Sequence, residues 1–155
     1  MNVTNVFNEI YKENKWGSKE SVSGAGSTIA ATKDIRHHLP IIVKNYNIKS
    51  IFDAPCGDFN WMKEVLPSLN VTYQGGEIVK DIVDNNIKNY SGKDISFNVF
   101  DITVDELPNV DLMLCRDCLI HLPYEKINQF FYNFSKSSIT YLLVNSYLVE
   151  NNSDI

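Results

Sequence analysis

The 155-residue sequence predicts an α/β fold built on a doubly wound, mostly parallel sheet. Three observations predict it. Five short apolar runs recur between residues 50 and 144, each flanked by Gly, Pro, Asp, Asn or Ser. Between them lie longer segments whose apolar residues repeat at helical spacing, and strands alternating with helices call for a parallel sheet covered on both faces through right-handed crossovers. The composition, 44% hydrophobic and 21% charged with two Trp, eight Tyr and eight Phe, suits one compact domain. A domain of this size buries roughly 70% of the surface its unfolded chain exposes.

The elements follow in order. Val3, Phe7 and Ile10 fall on one face of a leading helix. A Gly/Ser break then runs from Trp16-Gly17 to Ser23-Gly24-Ala25-Gly26. Ser27 or Thr28 can cap a second helix with an apolar face of Thr32, Ile35, Leu39, Ile42, Val43 and Tyr46, which Pro40 is expected to kink or split. Residues 50–54 form a buried first strand, followed by the loop Pro55-Cys56-Gly57-Asp58. Trp61, Met62, Val65 and Leu66 space as a helix that stops at Pro67. Residues 71–76 are a second strand, and Val79, Ile82, Val83, Ile87 and Tyr90 a helical face. Residues 95–100 are a third strand and 111–115 a fourth. Tyr124, Ile127, Phe130, Phe131 and Phe134 give the last helix, and 139–144 the fifth strand. The domain organisation is a helical leader or lid, 1–49, before an α/β core, 50–155.

Charge and cysteine content narrow the function. The net charge is −5, and the two arginines are Arg36 and Arg116, so neither a nucleic-acid stripe nor a polybasic membrane anchor is visible. No run is long enough for a membrane span, and the N-terminus does not read as a signal peptide. Three cysteines read as reduced, in a cytoplasmic protein. Cys115 and Cys118 with Cys56 and His121 could make a zinc set, but their spacing favours small buried thiols, and no metal is assigned. His37-His38 reads as solvated surface.

In a doubly wound sheet, ligands bind at the carboxyl ends of the strands. The first strand ends in Asp53-Ala54-Pro55-Cys56-Gly57-Asp58. A dinucleotide fingerprint needs three glycines, whereas this loop has one, and Asp58 would face a diphosphate with like charge. A ligand carrying positive charge suits Asp53 and Asp58 better, and S-adenosylmethionine carries a sulfonium and an ammonium group. Glu77 ends the second strand at the distance expected of a ribose acceptor. Asp101-Ile102 ends the third, where the carboxylate can accept from an adenine amino group and Ile102 can lie against the ring. Taken singly, Asp58 or Asp101 reads equally as a helix cap.

These residues carry a resemblance. SIFDAPCGDFNWM (50–62), VTYQGGEIVKDIVDNNI (71–87), FNVFDIT (97–103) and DLMLCRDCLIHLPYEKI (111–127) resemble the class I S-adenosylmethionine-dependent methyltransferases. The likeness is greatest to a bacterial subgroup with Asp-x-Pro-Cys-Gly-Asp and Arg-Asp-Cys-Leu-x-His-Leu motifs, whose leader WGSKESVSGAGST (16–28) also resembles. Pro55-Cys56 stands where the general family has more glycines. The resemblance implies a Rossmann-like fold and S-adenosylmethionine as cofactor, leaving as S-adenosylhomocysteine. Its binding set is Asp53, Pro55, Cys56, Gly57, Glu77, Ile78, Asp101, Ile102 and Arg116. Asp53, Cys56 and Gly57 belong around the methionine moiety, Glu77 at the ribose, and Asp101 with Ile102 at the adenine. It further implies methyl transfer to a small molecule, with a sugar of a bacterial surface glycan as the acceptor by analogy. A full domain of this kind has seven strands; five are visible here, so the last two are expected to be lacking. The exposed edge this leaves could pair two copies as a homodimer. The alternative function is a non-catalytic or truncated cofactor-binding domain.

The segment after the fourth strand borders the transferred methyl group in this fold. Asp117 and His121 are the candidate catalytic pair, His121 as base and Asp117 orienting it, one helical turn apart. The plainer readings are a helix cap at Asp117 and packing at His121. Arg116 could pair with Asp58 or hold an anionic acceptor. Trp16, Ser27 and Thr28 are candidate lid residues. Ser27 and Thr28, at a helix start, could favour an anion or act only as hinge and cap. Trp16 could cover the cofactor or only pack the leader down.

Overall fold

A computed structural model of the chain describes residues 3–147. Five strands form one sheet in the order β3-β2-β1-β4-β5, and every pairing is parallel. They are β1 (Ser50–Asp53), β2 (Thr72–Glu77), β3 (Ile95–Val99), β4 (Leu112–Cys115) and β5 (Tyr141–Val144). The helices are α1 (Val3–Lys12), α2 (Lys33–Asn45), α3 (Met62–Val65), α4 (Lys80–Tyr90) and α5 (Tyr124–Lys136). The doubly wound sheet expected from the alternating pattern is present. Whether two further strands are lacking turns on residues after 147 and lies outside the described residues.

Strand alternation builds a core on each side of the sheet. Ile51, Leu112 and Leu114 point to one face and pack with Leu39 and Val43 of α2, Met62 and Val65 of α3, and Val83 of α4. Phe52, Met113 and Cys115 point to the other and pack with Phe130 of α5. Val3 and Phe7 of α1 lie against this second core, half-buried. Among the described residues no helix is long and apolar enough to cross a membrane.

Local expectations differ from the structure at four places. Pro40 does not split its helix: α2 runs unbroken through it. Interior proline costs about 3 kcal/mol or more; Leu39 and Val43 on either side are buried, each worth roughly 1.5–3 kcal/mol. The helix also starts later than its cap residues suggest. Thr28 caps only a preceding turn, its Oγ1 accepting from the Ala31 N–H at 3.2 Å, and α2 proper begins at Lys33. In α4 Asn86 is buried beside Ile82 and Val83, while Ile87 is exposed. Tyr46, Tyr124 and Phe131, expected on apolar faces, are exposed as well.

Candidate functional site

The sheet reverses its strand order between β1 and β4, and a narrow cleft opens at the carboxyl ends of the strands at that point. It holds about 90 Å³ of solvent-accessible space. Asp53, Pro55, Cys56, Gly57, Glu77, Ile78, Asp101, Ile102, Arg116 and Asp117 all line it, with Trp16 and Ser27 from the leader. The sequence-predicted cofactor set therefore converges on one cavity. Thr28, Asp58 and His121 are not part of its wall.

Asp53 ends β1 with 2% of its surface exposed and accepts a hydrogen bond from the Tyr73 hydroxyl at 2.7 Å. Burial pushes its pKa up to about 7; Tyr73 opposes the shift, the nearby Glu77 carboxylate adds to it, and Arg116 offsets part. Glu77 ends β2, also buried. Burial raises its pKa against the hydrogen bonds it accepts from backbone N–H groups, including Val79 at 3.0 Å and Gly57 at 3.2 Å. Burial likewise raises the Cys56 thiol far above its ordinary value, so it stays neutral.

Three neighbours fix the glycine loop. Glu77 takes the Gly57 N–H, and the Asn86 amide donates to the Gly57 carbonyl at 2.7 Å. Ser23 presses on the third side: a Cβ on Gly57 would lie 2.2 Å from its Oγ, and φ there is +54°, so only glycine fits. Asp58 turns away from the cleft toward the leader. Its carboxylate accepts from the Ser21 hydroxyl and the Val22 N–H, each at 2.9 Å. Glu20 anchors the same part of the leader, a strap of residues 20–29, by accepting from the Ile29 N–H at 2.7 Å and the Asn60 amide at 2.9 Å.

At the end of β3, Asp101 Oδ1 accepts from the Thr103 hydroxyl at 2.6 Å and its N–H at 2.9 Å. After β4, Arg116 pairs with Asp117 at 2.7 Å rather than with Asp58, and donates to the Gly26 carbonyl at 3.0 Å. Of the two readings of Arg116, the pairing with Asp58 is not made: the Asp58 carboxylate accepts from Ser21, Val22 and Ser23 instead. Asp117 Oδ1 accepts from the Asn145 amide at 2.6 Å and the Tyr147 hydroxyl at 2.8 Å, and its N–H donates to Asn145 Oδ1 at 2.8 Å.

Asp117 and His121 do not form the expected one-face pair. Asp117 has φ +51°, which breaks any helical turn between them, and only Leu119–His121 is a 3-10 turn. Asp117 is not a helix cap either. His121 packs against Trp16 with ring centroids 5.5 Å apart and the ring planes tilted by 35°. Burial lowers its pKa, with a smaller opposing pull from Asp117, which favours the neutral ring at pH 7. The cysteines are free, and no group of three or more His, Cys, Asp or Glu among the described residues could hold a metal.

The sequence reading passed over Asn86, Tyr73, Asn145 and Tyr147. Asn86 had a signal: it is a polar residue three positions after Val83 on a face that is otherwise apolar. The others are held by long-range contacts with no mark in the local pattern.

No family model matches the chain, and no curated protein matches it. Solved structures do. The chain is similar to an S-adenosylmethionine-dependent methyltransferase from Anabaena variabilis, with TM-score 0.68 and 14% identity over 93% of this chain and 61% of that one. A second, from Leishmania major, gives 0.67 and 16% identity over 89% and 60%. Magnesium protoporphyrin IX methyltransferase from Synechocystis, with bound S-adenosylhomocysteine, gives 0.61 and 16% over 88% and 67%. The chain thus spans about 60% of the length of the first two. The likeness shows the fold: a Rossmann-like methyltransferase fold.

Proposed function

We propose that the chain binds S-adenosylmethionine at the strand ends and catalyses methyl transfer to a small-molecule acceptor. One observation carries this reading. Carboxylates at the ends of β1, β2 and β3 (Asp53, Glu77 and Asp101) meet in one cleft at the reversal of strand order, above a loop with a single glycine. The donor set fits the group: two buried carboxylates suit hydroxyl and ammonium donors, and Ile78 and Ile102 offer apolar walls to a planar base. Glu77 would hold the ribose, Asp53 with the Pro55-Cys56-Gly57 loop the methionine end, Asp101 and Ile102 the adenine, and Arg116 a carboxylate.

When bound, the cofactor supplies an electrophilic methyl group on a positively charged sulfur. Displacement in line with the breaking bond depends on position, so the chain's main contribution is to hold the acceptor within about 3–3.5 Å and exclude water. The Asn86–Gly57–Glu77 clamp holds the loop, and Trp16 with the strap closes the cleft from above. A hydroxyl acceptor must also lose a proton, for which neutral His121 and Asp117 are the proposed carriers.

A second reading has its own observation. Asp117 is engaged by Arg116, Asn145 and Tyr147, and His121 stands outside the cavity wall. That arrangement also suits transfer by proximity alone, or a non-catalytic binding domain. A sugar acceptor and self-association through the outer edge of β5 remain proposals. The test is calorimetry with S-adenosylmethionine, S-adenosylhomocysteine and NAD, followed by mass spectrometry of products from labelled cofactor and candidate sugars. Preference for NAD sinks the reading, and binding without turnover leaves the binding domain.

A further inference from the structure

We infer that the chain carries a second ligand site at the amino ends of β1, β2 and β3, built for a small organic anion with a flat apolar body. It lies at the opposite end of the sheet from the carboxylate-lined cleft and does not rest on the methyl-transfer reading. Lys49 stands just before β1, Thr72 opens β2, and Asp94 leads into β3. Lys63 and Leu66 reach the same opening from α3 and the turn after it, and Tyr90 from the end of α4. They bound a cleft with about 630 Å³ of solvent-accessible space, within the roughly 300–1,000 Å³ of ordinary small-molecule sites. No residue lines both clefts.

The floor of this second cleft is aromatic and fixed by its neighbours. Phe59, 3% exposed, packs against Tyr73, Tyr90 and Phe97 with ring centroids 5.3, 5.1 and 5.2 Å away. Leu66, also buried, belongs to the same core, and Tyr90 is half-buried against it. Rings already held in place lose little freedom when a planar group settles on them, and that group gives up apolar surface to the protein.

The charges are divided along the cleft. Lys49 precedes β1 and Asp94 precedes β3, two strand spacings or about 10 Å apart. Lys63 comes from the crossover between β1 and β2. Neither lysine forms an ion pair among the described residues. Lys63 Nζ donates to Asn60 Oδ1 at 3.3 Å, which leaves two of its three N–H groups. The carboxylates whose ionisation these lysines favour are already taken. Asp111, near Lys49, accepts from the Lys49 and Ser50 N–H groups and the Ser50 hydroxyl. Glu20, near Lys63, accepts from Ile29 and Asn60. Two ammonium groups with spare donors, against one carboxylate, select an anion, and charge-assisted hydrogen bonds are the stronger kind. Inorganic phosphate would leave the aromatic floor uncovered, and a neutral ring would leave the lysines unused. An aryl carboxylate or aryl phosphate uses both.

The experiment titrates 2-naphthoate, 2-naphthyl phosphate, 2-naphthol and 2-naphthylmethylammonium into the full chain by calorimetry. It does so in wild type, in Lys49→Gln and Lys63→Gln, and in the double variant. At least one anion should bind with a Kd of about 1 mM or tighter, and at least tenfold more tightly than naphthol or the ammonium. Preference for naphthoate assigns a carboxylate ligand, and preference for the phosphate a phosphorylated one. Each single substitution should weaken the anion at least threefold, and the pair at least tenfold. Amide shifts should move at Lys63, Thr72, Tyr90 and Ile95 and stay at Glu77 and Asp101. The proposal is overturned if neither anion binds, if naphthol or the ammonium binds as well, or if the double variant binds the anion normally. Shifts at Glu77 and Asp101 instead, or displacement of the anion by S-adenosylhomocysteine, would put it in the other cleft and overturn the proposal too. The anion titration needs no cofactor, so its outcome is independent of the methyl-transfer reading.

Discussion

Asp53→Asn should stabilise the protein, and do so more as the pH rises. The Asp53 pKa rises from 3.8 to about 7 on folding, chiefly through burial. A group whose pKa is raised by folding contributes stability at pH below its unfolded value and loses it as pH climbs through the folded one. The full loss for a shift of about three units is about 4 kcal/mol, at 1.36 kcal/mol per unit. Between pH 5 and pH 8 it is about 2.5 kcal/mol, because part has gone by pH 5. Asparagine removes the titration and keeps an oxygen to accept from Tyr73, whose hydroxyl lies 2.7 Å from Asp53. The assay is urea unfolding of wild type and variant at pH 5, 6, 7 and 8, at one ionic strength. The stability difference, variant minus wild type, should grow by about 2.5 kcal/mol across that range. Taking the difference cancels other titrating groups, including His121, except Glu77, which is coupled to Asp53 by charge. Removing the Asp53 charge relieves buried Glu77 and adds in the same direction. Parallel pH profiles for the two proteins would falsify the argument that Asp53 is held buried and half-protonated near neutrality.

The remaining predictions concern binding, positioning, proton transfer and the core. Glu77→Gln should weaken S-adenosylhomocysteine binding at least tenfold by calorimetry, since hydrogen bonds to a charged group are each worth roughly 1.5–3 kcal/mol; unchanged affinity rejects Glu77 as the ribose ligand. Asn86→Leu leaves the Gly57 carbonyl without its donor and should cost about 1–3 kcal/mol in thermal unfolding and lower cofactor affinity as well; a change in stability alone would make Asn86 a core residue only. His121→Ala and Asp117→Asn, assayed for turnover and for cofactor affinity, should lower turnover at least a hundredfold with affinity unchanged if they move the acceptor's proton; full activity in both leaves proximity as the mechanism. Phe130→Ala removes a fully buried ring from the second core, and urea unfolding should show a loss of about 3–5 kcal/mol.

The sheet was legible because its signals are local and repeated. Ile51 and Phe52 point to opposite faces of one strand, and both are buried, so the strand reads as a continuous apolar run. At Pro40 the helix is not split because the packing of Leu39 and Val43 outweighs intrinsic propensity. In α4 hydrophobicity alone points to Ile87, which is exposed. The inward place belongs to Asn86, whose amide is satisfied by the Gly57 carbonyl and the Cys56 thiol. A buried amide with its partners made is admissible in a core, and a window of sequence cannot show partners 29 and 30 residues away.

The acidic residues carry the same argument into the site. Asp53, Asp58, Glu77 and Asp101 read alike as carboxylates at strand ends, and the fold gives them different work. Asp58 lies one peptide beyond the glycine loop and faces outward, where Ser21, Val22 and Ser23 supply donors, so its charge secures the strap. Glu77 faces inward from β2 among backbone N–H groups of Gly57 and Val79, which hold its oxygens in the cleft. Asp53 is the deepest and has only the Tyr73 hydroxyl as a hydrogen-bond donor among the described residues, so burial dominates its ionisation. A cation brought into the cleft would favour the ionised form of Asp53 and draw off its proton. At pH 7 that proton is present in about half the molecules, for a pKa of about 7. Binding of S-adenosylmethionine should therefore release up to about half a proton, read as a slope when the binding enthalpy is plotted against the ionisation enthalpy of several buffers. A zero slope in wild type, matching that of Asp53→Asn, would place the cation away from Asp53 and assign that carboxylate to the fold alone.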